Sequence, residues 1–178
     1  MTFAARLTRS PIPYEDTRAE EVQARFAAQP PEIRALLDGT AGCSPYLAGL
    51  MEREADWLDA ALAGSPEDAL AGALAACEGL GSDALGAALR QAKRRVALLA
   101  GLCDLGGVWR LEEVTGALTT LADRATHAAL VALAADEIRR GKVPGAAAED
   151  AETAAGIVAL AMGKMGAGEL NYSSDIDL

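Results

Sequence analysis

From Arg18 to Arg140, apolar side chains return every three or four positions, interrupted at intervals by glycine or by a serine–proline pair. This period constrains the fold most, because it lays one apolar stripe along a helix and leaves the other faces polar. Leu47, Leu50, Trp57, Leu58 and Ala61 keep it in one stretch, and Leu85, Leu89, Val96, Leu99 and Cys103 in a second. Leu111, Val114, Leu118, Leu121, Ala125, Ala128 and Ala132 keep it in a third. Composition agrees. Aromatic residues are only 4% of the chain and hydrophobic residues 51%; most of the latter are alanine and leucine, which lose little rotamer freedom in a helix. A mainly β sandwich is excluded.

Local signals divide the helical stretch. Glu20 to Ala28 reads as a short helix stopped by Pro30 and Pro31, since proline disfavours helical geometry in the residue before it. Pro31 to Asp38 reads as a second, with Gly39 as its cap. Ser44-Pro45 and Ser65-Pro66 each place a side-chain acceptor at a cap and a preset φ in the first turn. A bend at Glu54-Ala55 leaves open one long helix or two. Ser82 caps a segment running to about Cys103, Gly106-Gly107 breaks it, and Trp109 to Arg140 reads as one long helix. The expected core includes Leu50, Trp57, Leu89, Leu99, Leu118 and Leu121. Residues 1–17, with Pro11 and Pro13, read as an arm, residues 18–148 as the helical region, and residues 149–178 as the start of a different domain.

Sixteen basic and 26 acidic residues leave a net charge of −10, so no nucleic-acid partner is expected. No uncharged apolar run approaches the ~18 residues that span a bilayer, so no membrane partner is expected either. Met1 to Pro13 carries Arg6 and Arg9 without an apolar core behind them, so no secretion signal is visible. Cys43, Cys77 and Cys103 lie far apart with no CxxC pair, and read as reduced thiols in a cytoplasmic protein, acting as small hydrophobes. His127 has no second ligand nearby and reads as a packed or surface histidine. Arg90, Lys93, Arg94 and Arg95 read as a solvated helix face or as a contact for an acidic partner.

The pattern changes near the C-terminus. Gly141 to Ala148 reads as a linker. Ile157 to Met162 is an apolar run between Gly156 and Gly163, either a buried strand or a piece of helix. Gly163, Gly166 and Gly168 follow in close succession. Asp175 and Asp177 are two apart, which on a strand puts both carboxylates on one face and turns Ile176 and Leu178 to the other. Paired carboxylates are hard oxygen ligands suited to Mg²⁺, and glycines upstream let a phosphate approach the backbone and its N–H donors. A D-x-D alone is a weak signal, since a solvated strand face has the same pattern. The alternation stops at Leu178 as if cut.

The sixteen residues GKMGAGELNYSSDIDL, Gly163 to Leu178, closely resemble the signature of the bifunctional glutamine synthetase adenylyltransferase/adenylyl-removing enzyme family. That family lies within the polymerase-β-like nucleotidyltransferases, whose pattern is a glycine pair, a spacer and D-x-D on a strand. Lys164 departs from the Gly or Ser of the wider superfamily and fits this family's Gly-Lys. Ser44-Pro45-Tyr46-Leu47, Leu105-Gly106-Gly107 through Val114, and Leu118 to Asp123 are similar, more faintly, to its N-terminal helical segment. Asn171-Tyr172-Ser173-Ser174 before the acidic pair resembles the N-terminal of its two catalytic copies, associated with removing AMP from a tyrosine of glutamine synthetase by phosphorolysis.

The resemblance implies a mainly α fold: a helical N-terminal bundle, then the opening loop and strand of a truncated polymerase-β-like nucleotidyltransferase α/β domain over residues 149–178. It implies Asp175 and Asp177 as catalytic, Mg²⁺-holding carboxylates beside a third from a later strand, and Gly163, Gly166 and Ser174 as phosphate- or nucleotide-binding positions. Implied partners are adenylylated glutamine synthetase, a nitrogen-signalling regulatory protein, ATP-type nucleotide and phosphate. A chain ending at Leu178 is then expected to be inactive by itself, with Gly163 to Leu178 poorly ordered or packed unlike the family. An excerpt of a longer chain should instead show a glycine-rich turn followed by a strand. The competing reading is a helical interaction module that docks glutamine synthetase or a regulatory protein without catalysis.

Overall fold

The computed structural model describes residues 1–178. In chain order the elements are α1 (Phe3–Arg6), α2 (Asp16–Arg25), α3 (Pro31–Cys43), α4 (Pro45–Arg53), α5 (Ala55–Ala63), α6 (Pro66–Ala75), α7 (Ser82–Leu105), α8 (Leu111–Arg139), a 3₁₀ segment (Ala148–Gly156) and α9 (Gly163–Gly166). No strand forms. The mainly helical architecture agrees with the sequence; the strand expected at Asp175–Leu178 is absent.

The serine–proline starts behave as their chemistry dictates. Ser44 Oγ accepts from the Leu47 N–H and Ser65 Oγ from the Asp68 N–H, at 3.2 and 3.1 Å, satisfying donors that the first helical turn leaves orphaned. The α7–α8 turn is a Schellman motif: the Val108 N–H donates to the Cys103 carbonyl and the Gly107 N–H to that of Asp104, with Gly107 at φ +64° where a side chain would be strained. Ser82 is not a cap. It is the first residue of α7, and its hydroxyl donates to Asp136 Oδ2 at 2.6 Å near the far end of α8.

Helix α3 runs through Gly39 to Cys43, so Gly39 is interior and not a cap. The reason is tertiary. The arm of residues 1–17 lies along the bundle, and a Cβ at Gly39 would strike the Pro11 carbonyl, while one at Gly42 would strike Pro13. Phe3 of α1 is fully buried, and backbone bonds from Phe3 to Gly64 and from Thr8 to Gly106 strap the arm down.

The main core draws on α1 to α5, α7 and the start of α8, with Leu36, Leu37, Met51, Leu58, Leu98, Leu99 and Leu102 fully buried. Of the expected core residues, Leu50 and Leu99 are buried, while Trp57, Leu89, Leu118 and Leu121 pack half-buried against it or its satellites. The bend at Glu54 makes two helices, and a buried charge occupies it. Glu54 accepts from Arg94 Nε at 2.6 Å and from Arg95 Nε at 2.9 Å, and the Arg95 guanidinium lies 5.4 Å from the Trp57 ring. Burial pushes the Glu54 carboxyl up, but the arginine hydrogen bonds outweigh it and hold the group below its ordinary range. Arg94 and Arg95 are thus committed to the bend and do not form a solvated cationic face. Cys77 and Cys103 are buried as expected; Cys43 is exposed, its thiol donating to the Ile12 carbonyl.

Candidate active site

The segment that carries the glycines and carboxylates leaves the bundle through a strained turn. Ala154, Ala155 and Gly156 all have positive φ, at 51°, 53° and 81°, a conformation that costs non-glycine residues roughly 1–2 kcal/mol each. Ile157 to Met162 then runs outside the core: Val158 is 76% and Leu160 70% exposed. The run is neither a helix piece nor a buried strand, because only one ladder-like bond reaches it, from the Met162 N–H to the Asp177 carbonyl at 2.9 Å.

The chain returns to the bundle at three side chains. Met165 and Leu170 are buried against Ala122 of α8, and the Leu170 N–H donates to Thr119 Oγ1 at 3.3 Å. Thr119 is itself held by donating to the Thr115 carbonyl. Tyr172 turns its hydroxyl into α7 and donates to the Ala97 carbonyl at 2.6 Å. Next, Asn171 Oδ1 collects the Ser173 N–H and the hydroxyls of Ser173 and Ser174, and Ser174 Oγ accepts from the Asn171 N–H. This side-chain-closed turn delivers Asp175 and Asp177.

The structure brings together Gly163 and Asp177. Gly163 has φ +52°, a conformation that favours glycine, and its Cα faces Asp177: a Cβ there would lie 2.9 Å from Oδ2, the movable end of that exposed side chain. Asp175 and Asp177 are both exposed, and neither enters an ion pair. Hard, unshared oxygen donors of this kind fit a divalent cation, although no group of three metal-ligating side chains is present. Gly166 has a different place from the one expected. Its N–H is spent on the Met162 carbonyl, and its lack of a side chain lets the Ala161 carbonyl approach. The Ser174 hydroxyl is likewise engaged in the Asn171 turn.

The expected strand at Asp175–Leu178 fails for a physical reason. A strand is stabilised by its neighbours, and two strands alone are marginal in water. Here the single backbone bond to Met162 is all the pairing there is. Two residues that matter locally escaped the sequence reading, Thr119 and the Tyr172 hydroxyl; their partners lie 51 and 75 residues away, a separation no local pattern reports. Arg90 and Lys93, both exposed, line a groove of about 350 Å³ with Leu118, Leu121, Tyr172 and Ser174. His127 lines a separate cleft of about 780 Å³, where the neighbouring Arg124 and Arg139 pair with Glu78 and Asp136.

The family profile described as glutamate–ammonia ligase adenylyltransferase matches residues 35–178. The chain belongs to that family. The match takes in most of the bundle as well as the glycine-and-carboxylate segment. Among its relatives, bifunctional glutamine synthetase adenylyltransferase/adenylyl-removing enzyme of Rhodopseudomonas palustris (strain ATCC BAA-98 / CGA009) is 44% identical over 153 residues, covering 83% of this chain and 16% of that protein. The enzyme of the same name from Caulobacter vibrioides is 46% identical over 138 residues, 75% of this chain and 14% of the relative. That from Bradyrhizobium sp. (strain BTAi1) is 44% identical over 153 residues, 82% and 15%. The chain therefore spans about one-sixth of the length of these family members. No solved structure matches it. No helix is long and apolar enough to cross a membrane.

Proposed function

We propose that this chain supplies the helical lead-in and the first acidic loop of a nucleotidyltransferase that removes AMP from adenylylated glutamine synthetase by phosphorolysis. The observation that carries the reading is the meeting of Gly163 with Asp177, whose carboxylate, like that of Asp175, is exposed and neutralised by no cation of the chain. In this reading Asp175 and Asp177 hold Mg²⁺, which when bound offsets charge on phosphoryl oxygens and orients them for in-line displacement. Gly163, with no side chain, keeps the backbone close to the Asp177 carboxylate, and the glycine-rich turn around it is the phosphate-facing part of the loop. The Asn171–Ser174 turn holds Asp175 at the mouth of the site, and Gly166 shapes the loop between.

The reaction forms a bond from a phosphate oxygen to the phosphorus of the tyrosine-linked AMP and breaks the bond between that phosphorus and the tyrosine oxygen. The tyrosine oxygen takes a proton, and ADP leaves. The removing half of the bifunctional activity is assigned because Asn171-Tyr172-Ser173-Ser174 follows a helical lead-in. A third carboxylate, outside residues 1–178, completes the ligand set. The same reading places the enzyme in the cytoplasm, gives it ATP-type nucleotide ligands and makes a nitrogen-signalling regulatory protein a partner.

The test is ADP release from adenylylated glutamine synthetase, with phosphate present, by a full-length polypeptide carrying this segment. Asp175→Asn or Asp177→Asn should lower the rate by on the order of 10²-fold or more and leave the helical circular dichroism unchanged. Activity within a few-fold of the unsubstituted enzyme would sink the metal assignment. The 178-residue chain alone should show no catalysis and no micromolar binding of Mg²⁺ with nucleotide by calorimetry.

A further inference from the structure

We propose that Tyr172 is a positioning residue: its hydroxyl, seated on α7, sets the register of the acidic loop against the helical bundle, so that the bundle forms part of the catalytic machinery. The proposal rests on the nucleotidyltransferase reading above and adds to it a role for α7, which that reading leaves as a mere lead-in.

Tyr172 stands three residues before Asp175, and its hydroxyl donates to the Ala97 carbonyl at 2.6 Å. That carbonyl lies within α7, so the tyrosine adds a second donor to an oxygen already inside a helix. The space for it comes from Gly101, one turn further along. A Cβ at Gly101 would lie 3.0 Å from the Tyr172 hydroxyl oxygen and 3.1 Å from both methyl carbons of Leu47. Glycine inside a 24-residue helix costs about 1 kcal/mol against alanine, and the seated hydroxyl and Leu47 supply the packing reason for it.

The rest of the ring is not there to fill a core. Tyr172 is 48% exposed, so the hydroxyl contact, not apolar burial, defines its place. Burial of the hydroxyl end pushes the phenol well above its ordinary value, in keeping with a proton held in the bond to Ala97. A second tether two residues earlier, from the Leu170 N–H to Thr119 of α8, turns the anchor into a two-point clamp across α7 and α8. Beyond it, the Asn171 turn is closed by its own side chain, which leaves little slack before Asp175. Displacement of a reacting group by about 1 Å can cost of order 10²-fold in rate, so loss of one anchor should be visible in turnover.

The experiment uses the full-length enzyme with Tyr172→Phe, Gly101→Ala and both together, read by ADP release at varied Mg²⁺ and varied adenylylated glutamine synthetase. Tyr172→Phe should lower kcat about tenfold and raise the Mg²⁺ needed for half-maximal rate. KM for glutamine synthetase and the thermal midpoint should stay unchanged. Hydrogen exchange over residues 173–178 should quicken. Gly101→Ala, in α7 beside the Tyr172 hydroxyl, should act in the same direction. The double variant should be no worse than the poorer single one, because phenylalanine lacks the oxygen that the new methyl would crowd. Tyr172→Phe within twofold of the parent in both kcat and Mg²⁺ requirement would overturn the proposal, as would fully additive losses in the double variant. If Asp175→Asn is dead while Tyr172→Phe is unaffected, the positioning role falls and the functional reading stands; if Asp175→Asn stays active, the reading beneath it falls.

Discussion

In α7, Leu98, Leu99 and Leu102 are fully buried; further along, Val158 and Leu160 are 76% and 70% exposed in a run of equal apolarity. The difference is one of backbone. A helix satisfies its hydrogen bonds within itself and needs a neighbour only for its apolar stripe, and the α1–α8 bundle supplies enough neighbours. An extended run must find both a ladder and a cover. Residues 157–178 find one ladder-like bond, Met162 to Asp177, and three anchors, Met165, Leu170 and Tyr172. The bundle is thus a finished object, and the acidic segment is a loop held at a few points on its side.

The contrast can be broken most forcefully from the bundle. Leu99→Ala removes a fully buried side chain from the main core and should lower unfolding free energy by about 3–4 kcal/mol, measured by urea denaturation; a loss below about 1 kcal/mol would show a loosely packed core. Next comes the bend between α4 and α5. Glu54→Gln leaves Arg94 and Arg95 without their buried carboxylate and should cost about 2 kcal/mol, between the values for buried and surface pairs because both arginines keep some solvent contact.

The same residue carries a pH signature. The folded-state pKa of Glu54 lies below its unfolded value, so its stabilisation is present above the ordinary glutamate range and fades as pH falls through the folded value. The gap between the parent chain and Glu54→Gln should therefore narrow below about pH 4.5, seen as converging thermal midpoints. A gap that holds constant to about pH 3 would remove the ionic account of the bend.

The smallest effect is expected in the acidic segment. Val158→Ser should change stability of the chain by no more than about 0.5 kcal/mol, since the side chain touches little. A loss above about 1 kcal/mol would place this run in a core after all.

The helical class, the serine–proline caps and the glycine break before α8 were legible from residues 18–140, because each depends on neighbours within a turn or two. Gly39 is not legible, for the opposite reason: its role is to let Pro11 cross α3, and nothing near it in sequence says so. Arg94 and Arg95 have the spacing of a solvated face, yet both donate to Glu54, 40 and 41 residues away in sequence. At the candidate site, the spacing of Asp175 and Asp177 and the glycines upstream were visible at once, as was the family likeness. The contact of Gly163 with Asp177 and the seat of Tyr172 were not, since a hydrogen bond across 75 residues leaves no local pattern.

Which residues could form helices, and where the chemistry-bearing residues stand, follow from the order of amino acids alone, because rotamer entropy, capping and side-chain period act over a few residues. It took the folded chain to leave Asp175–Leu178 outside any sheet, with one backbone bond to Met162, to strap the arm to α3, and to form the socket on α7 for Tyr172. Each of these depends on what the rest of the folded chain brings alongside, and a strand, unlike a helix, exists only through its partner.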